Sequence, residues 1–136
     1  MQVHQEGHTG AVPFVIWLKM VNGRGQIKGE IAVPYTTDKI VLFDWTDVGP
    51  EYNWFHLAIK AAPRTNGHLG DIQVRLNGVE IGSKRMHWGE NHSNIDNWSD
   101  KWRLSSGIYI GDPGQDNVVL FLDDIKLGSS WQAVSN

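Results

Sequence analysis

Near its start the chain reads Gln2-Val3-His4. On a strand, residues two apart share a face, so this spacing projects an amide and an imidazole together. The amide can hydrogen-bond a carboxylate, and the imidazole can take or guide a proton near neutral pH. The plainer reading of the same spacing is two solvated polar residues on an end strand. Tyr109, within Gly107-Ile108-Tyr109, is the other candidate for proton transfer. Its hydroxyl would need a neighbour that lowers its pKa from about 10. A strand tyrosine more commonly packs, with its hydroxyl at the sheet edge.

A polar, aromatic stretch, Lys84–Arg103, shows no apolar periodicity of either kind and holds His87, Trp88, Asn91, His92, Asn94, Asn97, Trp98 and Trp102. Tryptophan faces stack on sugar rings as readily as they pack in a core. His87, Trp88, Asn91, Trp98, Trp102 and Arg103 are therefore read as substrate-binding. His87 and His92 bracket Glu90, but the spacing is not the helical His-Glu-x-x-His zinc pattern, and no metal site is assigned. Asp112, Asp116, Asp123 and Asp124 surround a turn, where a structural calcium is the alternative to plain acidic turn residues. No cofactor is otherwise called for. Asn91-His92-Ser93 and Asn97-Trp98-Ser99 are formal glycosylation sequons, which matter only in a eukaryotic secreted protein.

The length, 136 residues, suits one domain over 1–136 with a core of its own. The absence of cysteine excludes disulfides, thiolate metal sites and thiol catalysis. Twelve Lys+Arg against fifteen Asp+Glu give a net charge of −3, a poor footprint for a nucleic-acid partner. No apolar run approaches the roughly 20 residues of a membrane-spanning helix. The opening residues do not read as a signal peptide, and the compartment stays open. Seven tryptophans and fifteen glycines suggest short strands joined by tight turns.

The elements that would position these side chains are strands. Pro13–Met20 alternates Phe14, Ile16 and Leu18 with Val15, Trp17 and Lys19. Asn22-Gly23 then turns the chain into Gln26–Val33. Lys39–Trp45 and Tyr52–Ala62 follow, the latter with Phe55, Leu57 and Ile59 on one face. Asp71–Ile81 is a hairpin about Asn77-Gly78. Leu104–Gly111 and Asn117–Gly128 complete the set, and Trp131 is placed to dock the tail. Nothing carries the apolar stripe of a substantial helix. The expectation is an all-β, antiparallel fold.

Three segments resemble the jelly-roll polysaccharide lyases of the alginate lyase and heparin lyase I type, with glucuronan lyase as a relative. Gln2-Val3-His4 is similar to the family's Gln-Ile-His strand, Leu104–Tyr109 to the strand ending Gly-x-Tyr, and Phe121–Gly128 to the closing strand. Trp54–Lys60 followed by Val74–Gly78 resembles the strand pair ahead of the substrate loop. The likeness spans the C-terminal two-thirds of the family fold. It implies a concanavalin A-like β-sandwich jelly roll, here truncated or rearranged, and β-elimination on a uronic-acid-containing polysaccharide with no cofactor. By the same likeness Gln2 would bind the uronate carboxylate, His4 would act as base or neutraliser, and Tyr109 would transfer the proton. Such enzymes are typically secreted or periplasmic.

The chain departs from the family at Ser105, where a lysine is usual, at Arg103, where an aromatic is usual, and at Ile110-Gly111, where alginate lyases have Asn-Gln. The family's arginine-bearing strand lies upstream of Gln-x-His. Without it, uronate neutralisation would fall to Gln2 and His4, or to Arg24, Arg75 or Arg103 if one reaches the face. Exposed sheet edges would call for a homo-oligomer or a partner chain as cover. Two other functions stand beside the lyase: a non-catalytic carbohydrate-binding jelly roll, and a structural module such as a virion surface component.

Overall fold

The computed structural model describes residues 2–5, 14–33, 38–62, 69–86, 102–105 and 122–134. Eight strands are present: β1 (Gln2–Gln5), β2 (Phe14–Val21), β3 (Arg24–Ala32), β4 (Lys39–Pro50), β5 (Leu57–Ala62), β6 (Gly70–Leu76), β7 (Val79–Met86) and β8 (Trp102–Ser105). They form two sheets, β4-β3-β2-β1-β8 and β5-β6-β7, and every pairing is antiparallel. The all-β expectation holds.

Two Asn-Gly turns set the register. Asn22 and Gly23 take φ of 51° and 72°, and Asn77 and Gly78 take 50° and 82°. Both residues of each pair are left-handed, as in a type I′ turn whose twist matches that of the flanking strands. The two-residue connection then pairs Val21 with Arg24 and, in the second sheet, Leu76 with Val79. Because side chains alternate along a strand, this register decides which residues go inside.

The core follows from that alternation. Phe14 and Ile16 of β2, Ile27 and Ile31 of β3, Phe43 and Val48 of β4, and Ile72, Val74 and Leu76 of β6 form one buried cluster, so the two sheets share a single apolar interior. Phe55, Leu57 and Ile59 pack against it. Each fully buried side chain of this size stabilises the fold by about 1.5–3 kcal/mol relative to exposure. Glycine is required at two close approaches. The Phe43 ring lies where a Cβ on Gly29 would be. A Cβ on Gly82 would sit 2.8 Å from the Leu42 carbonyl oxygen, so β7 runs hard against β4.

Several elements differ from the sequence reading. β4 continues past Trp45 to Pro50, helped by register shifts along the β3–β4 ladder that absorb extra residues. The strand expected from Tyr52 begins only at Leu57. Residues 51–56 form a turn and an extended link, in which Tyr52 has φ of 66°. Asn117–Gly128 is not a strand over its described part, 122–128, where Leu122, Ile125 and Leu127 are exposed. An alternating pattern makes a strand only where a sheet edge pairs with it. A single-turn helix, α1 (Trp131–Val134), ends the described chain. Among the described residues no helix is long and apolar enough to cross a membrane.

Candidate functional site

The five-stranded sheet has a second face, away from the core, and the register gives its membership. Val3 pairs with Phe14, a core residue, and with Leu104. Gln2 pairs with Val15 and Ser105, and His4 pairs with Arg103. Gln2, His4, Arg103 and Ser105 therefore hold register positions on the face that also carries Val15, Trp17 and Lys19. Trp102, paired with Gln5, falls on the opposite set of positions with Val3 and Leu104.

This second face is cationic and aromatic, within a chain whose net charge is −3, but it is not open throughout: Val15, the register partner of Gln2, is buried, and Trp17, Lys28 and Glu30 are half-buried. Trp17 sits opposite Lys28 in the β2–β3 ladder, and Val15 opposite Glu30. The Trp17 indole nitrogen donates to Glu30 Oε2 at 2.7 Å, and Lys28 Nζ lies 2.8 Å from Glu30 Oε1. Lys39 Nζ stands 3.7 Å from the same carboxylate and 5.3 Å from the centre of the Trp17 ring. Lys19 Nζ lies 3.8 Å over the Trp45 ring. Cations over indole faces are attracted by the ring quadrupole. At the hairpin end, Arg24 donates to both Asp47 oxygens, at 2.9 and 2.5 Å, as a bidentate pair.

Glu30 is the electrostatic centre of this network. Its partial burial alone would raise its carboxyl. The hydrogen bonds from Lys28 and Trp17, with the charges of Lys28 and Lys39, outweigh that and hold it below the ordinary carboxylate range. Its anion in turn raises Lys28. Asp47 is likewise lowered, chiefly by the hydrogen bond from Arg24. Glu30 and Lys28 thus stabilise each other as an ion pair.

The three arginines weighed for uronate neutralisation separate clearly. Arg24 is engaged by Asp47. Arg75 belongs to the second sheet, where its guanidinium carbon lies 4.4 Å from the centre of the Trp131 ring. Arg103 is the one of the three placed beside His4. Trp131 also donates to Gln73 Oε1 at 3.2 Å, so the tail docks on the outer face of β5-β6-β7 as its tryptophan suggested.

Tyr109, His87, Trp88, Asn91 and Trp98 lie outside the described residues, as do Asp112 and Asp116. Asp123 and Asp124 are described. Asp124 pairs with Lys126 at 3.1 Å, and no group of three or more metal-ligating side chains occurs among the described residues. Sequence reasoning did not anticipate the clustering of Trp17 and Trp45 with the lysines around them. The available signal was Trp17 and Lys19 alternating with the apolar positions of β2. No family model matches the chain, and neither a curated protein nor a solved structure matches it.

Proposed function

We propose that the outer face of the five-stranded sheet binds a uronic-acid-containing polysaccharide and that Gln2, His4, Arg103 and Tyr109 carry out β-elimination on it, within a jelly-roll, concanavalin A-like sandwich. The observation that carries this reading is the cross-strand pairing of His4 with Arg103, on the face that Trp17, Lys19, Lys28 and Lys39 share. An arginine opposite His4 in the ladder would supply a cation for the uronate carboxylate.

The chemistry needs two things of the protein. The uronate carboxylate must be neutralised, so that negative charge can build on it as the adjacent C5–H bond breaks. Arg103, with its planar fork of donors, and Gln2, with its amide, meet that need. A base must then take the C5 proton, and the neutral imidazole of His4 would serve as that base. The electron pair left by that proton forms the C4=C5 double bond as the C4–O bond breaks. Tyr109 gives its proton to the departing oxygen. The products are a new chain end and an unsaturated uronate, with no water consumed and no change of oxidation state overall. The lysines of the outer face attract and hold the polyanion.

Incubation of the full chain with alginate, glucuronan and heparin-like polymers tests this directly. The ultraviolet absorbance of unsaturated uronate ends should rise on at least one of them. Silence across the panel, with folded protein, would overturn the elimination reading. Binding without turnover is the second reading, favoured by the Lys19–Trp45 and Lys39–Trp17 pairs. It would show as retention on an immobilised polyuronate with no absorbance change.

A further inference from the structure

We infer that Tyr52 and Trp54 form a second carbohydrate site, at one end of the sandwich, which takes an uncharged sugar ring by stacking. Tyr52 is 89% exposed and Trp54 is 65% exposed. They lie two residues apart in the link between β4 and β5, away from the register positions of Gln2 and His4.

The link is held at both ends. Glu51 N donates to the Gly23 carbonyl at 2.9 Å, at the tip of the β2–β3 hairpin. His56 N donates to Asn77 Oδ1 at 2.8 Å, and Asn77 N donates back to the His56 carbonyl at 2.8 Å, at the tip of the β6–β7 hairpin. Between them Asn53 donates from its backbone to Pro50 at 3.1 Å and from its side chain to Val48 at 2.9 Å. The rings thus rise from a segment fastened between the turns of the two sheets. A rigid platform loses little entropy when a ligand lands on it.

The backbone there is unfavourable for the residue it carries. Tyr52 has φ of 66°, and Gly49, three residues earlier, has φ of 109°. A bulky non-glycine residue rarely occupies the left-handed region. Strain of this kind persists where something other than folding selects the side chain. The Tyr52 ring is nearly fully solvated, so packing does not explain its presence.

The ligand class follows from what surrounds the rings. Trp17 and Trp45 each have a lysine ammonium over the ring. Neither Tyr52 nor Trp54 has a cation or another ring against it among the described residues. The adjacent charge in the chain is Glu51, an anion, and Arg24 is taken by Asp47. A uronate would meet repulsion there. A neutral pyranose would find two open aromatic faces, with Glu51 alongside for its hydroxyls. A protein partner would instead need an apolar patch of several hundred Å², and Glu51 and Asn53 interrupt this one. The site stands independently of the elimination chemistry.

Calorimetry on the full chain with β-1,4-glucan oligosaccharides, β-1,3-glucan and a galactomannan tests the inference, with alginate in parallel. The native chain should bind at least one neutral glycan. Tyr52→Ala and Trp54→Ala should each weaken that binding by about tenfold or more, with uronate elimination unchanged. Tyr52→Gly separates the roles further: it relieves the left-handed backbone and should match or exceed native stability while losing neutral-glycan affinity. No neutral binding by the native chain, or undiminished binding by the double alanine variant, would overturn the site. Loss of elimination activity with neutral binding intact would count against the proposed lyase alone.

Discussion

His4 and Arg103 are cross-strand partners in the β1–β8 ladder, although ninety-nine positions separate them in the chain. Cross-strand partners stand about 4.5–5.5 Å apart, close enough for both to engage one sugar residue. Replacing Arg103 with alanine should reduce elimination by about 10²-fold or more, as loss of an oxyanion-stabilising donor does. Arg103→Lys should recover only part of it, because an ammonium lacks the bidentate fork. Initial rates of unsaturated-end formation on a polyuronate check both. A native-like rate for Arg103→Ala would remove the arginine from the mechanism.

The same chemistry sets a pH profile. With His4 as the proposed base, which acts only when neutral, the rate should rise with pH through the titration of the imidazole and then level. His4→Ala should lower the rate by about 10²–10⁴-fold and abolish that rising limb. A profile identical in the variant and the native chain would place the base elsewhere.

Stability has its own pH dependence, which reports on Glu30. Its carboxyl is held below its unfolded value by Lys28 and Trp17. A group depressed in the folded state contributes stability above its unfolded pKa, and that contribution is lost as pH falls through the folded value. Asp47, lowered by Arg24, acts with the same sign. Urea denaturation across the acidic range should therefore show midpoints falling on acidification. Glu30→Gln should flatten part of that fall and disturb the setting of Trp17, seen as a change in tryptophan emission.

Gly29 faces the Phe43 ring, so Gly29→Ala forces the ring or the β3–β4 ladder to move. Overpacking a filled core costs about 1–3 kcal/mol. Chemical denaturation should show a loss of that order, with β-sheet circular dichroism retained. An unchanged midpoint would mean that the ring has room to turn aside.

Trp131 ties the tail to the second sheet through Arg75 and Gln73. Trp131→Ala should cost about 1 kcal/mol, as a cation–π contact and one hydrogen bond allow. It should also speed proteolysis within 122–130, where no strand pairing holds the chain. Digestion followed by mass spectrometry locates the cut.

The sequence by itself determined the strands that alternate strongly and the turns that need left-handed residues. Phe14 and Ile16, and Ile72, Val74 and Leu76, reach the core because a period of two leaves one face apolar. Asn22-Gly23 and Asn77-Gly78 close hairpins because those residues accept positive φ. Gln2 and His4 share a face for the same local reason. Only the tertiary structure decided what joins them there. Pairing between β1 and β8 is a long-range event, and it set Arg103, rather than Arg24 or Arg75, opposite His4. Bulges in the β3–β4 ladder and packing across strands brought Lys19 to Trp45 and Lys39 to Trp17. The apolar alternation of 122–128 formed no strand, since a strand requires a neighbour with free backbone groups and local pattern cannot supply one.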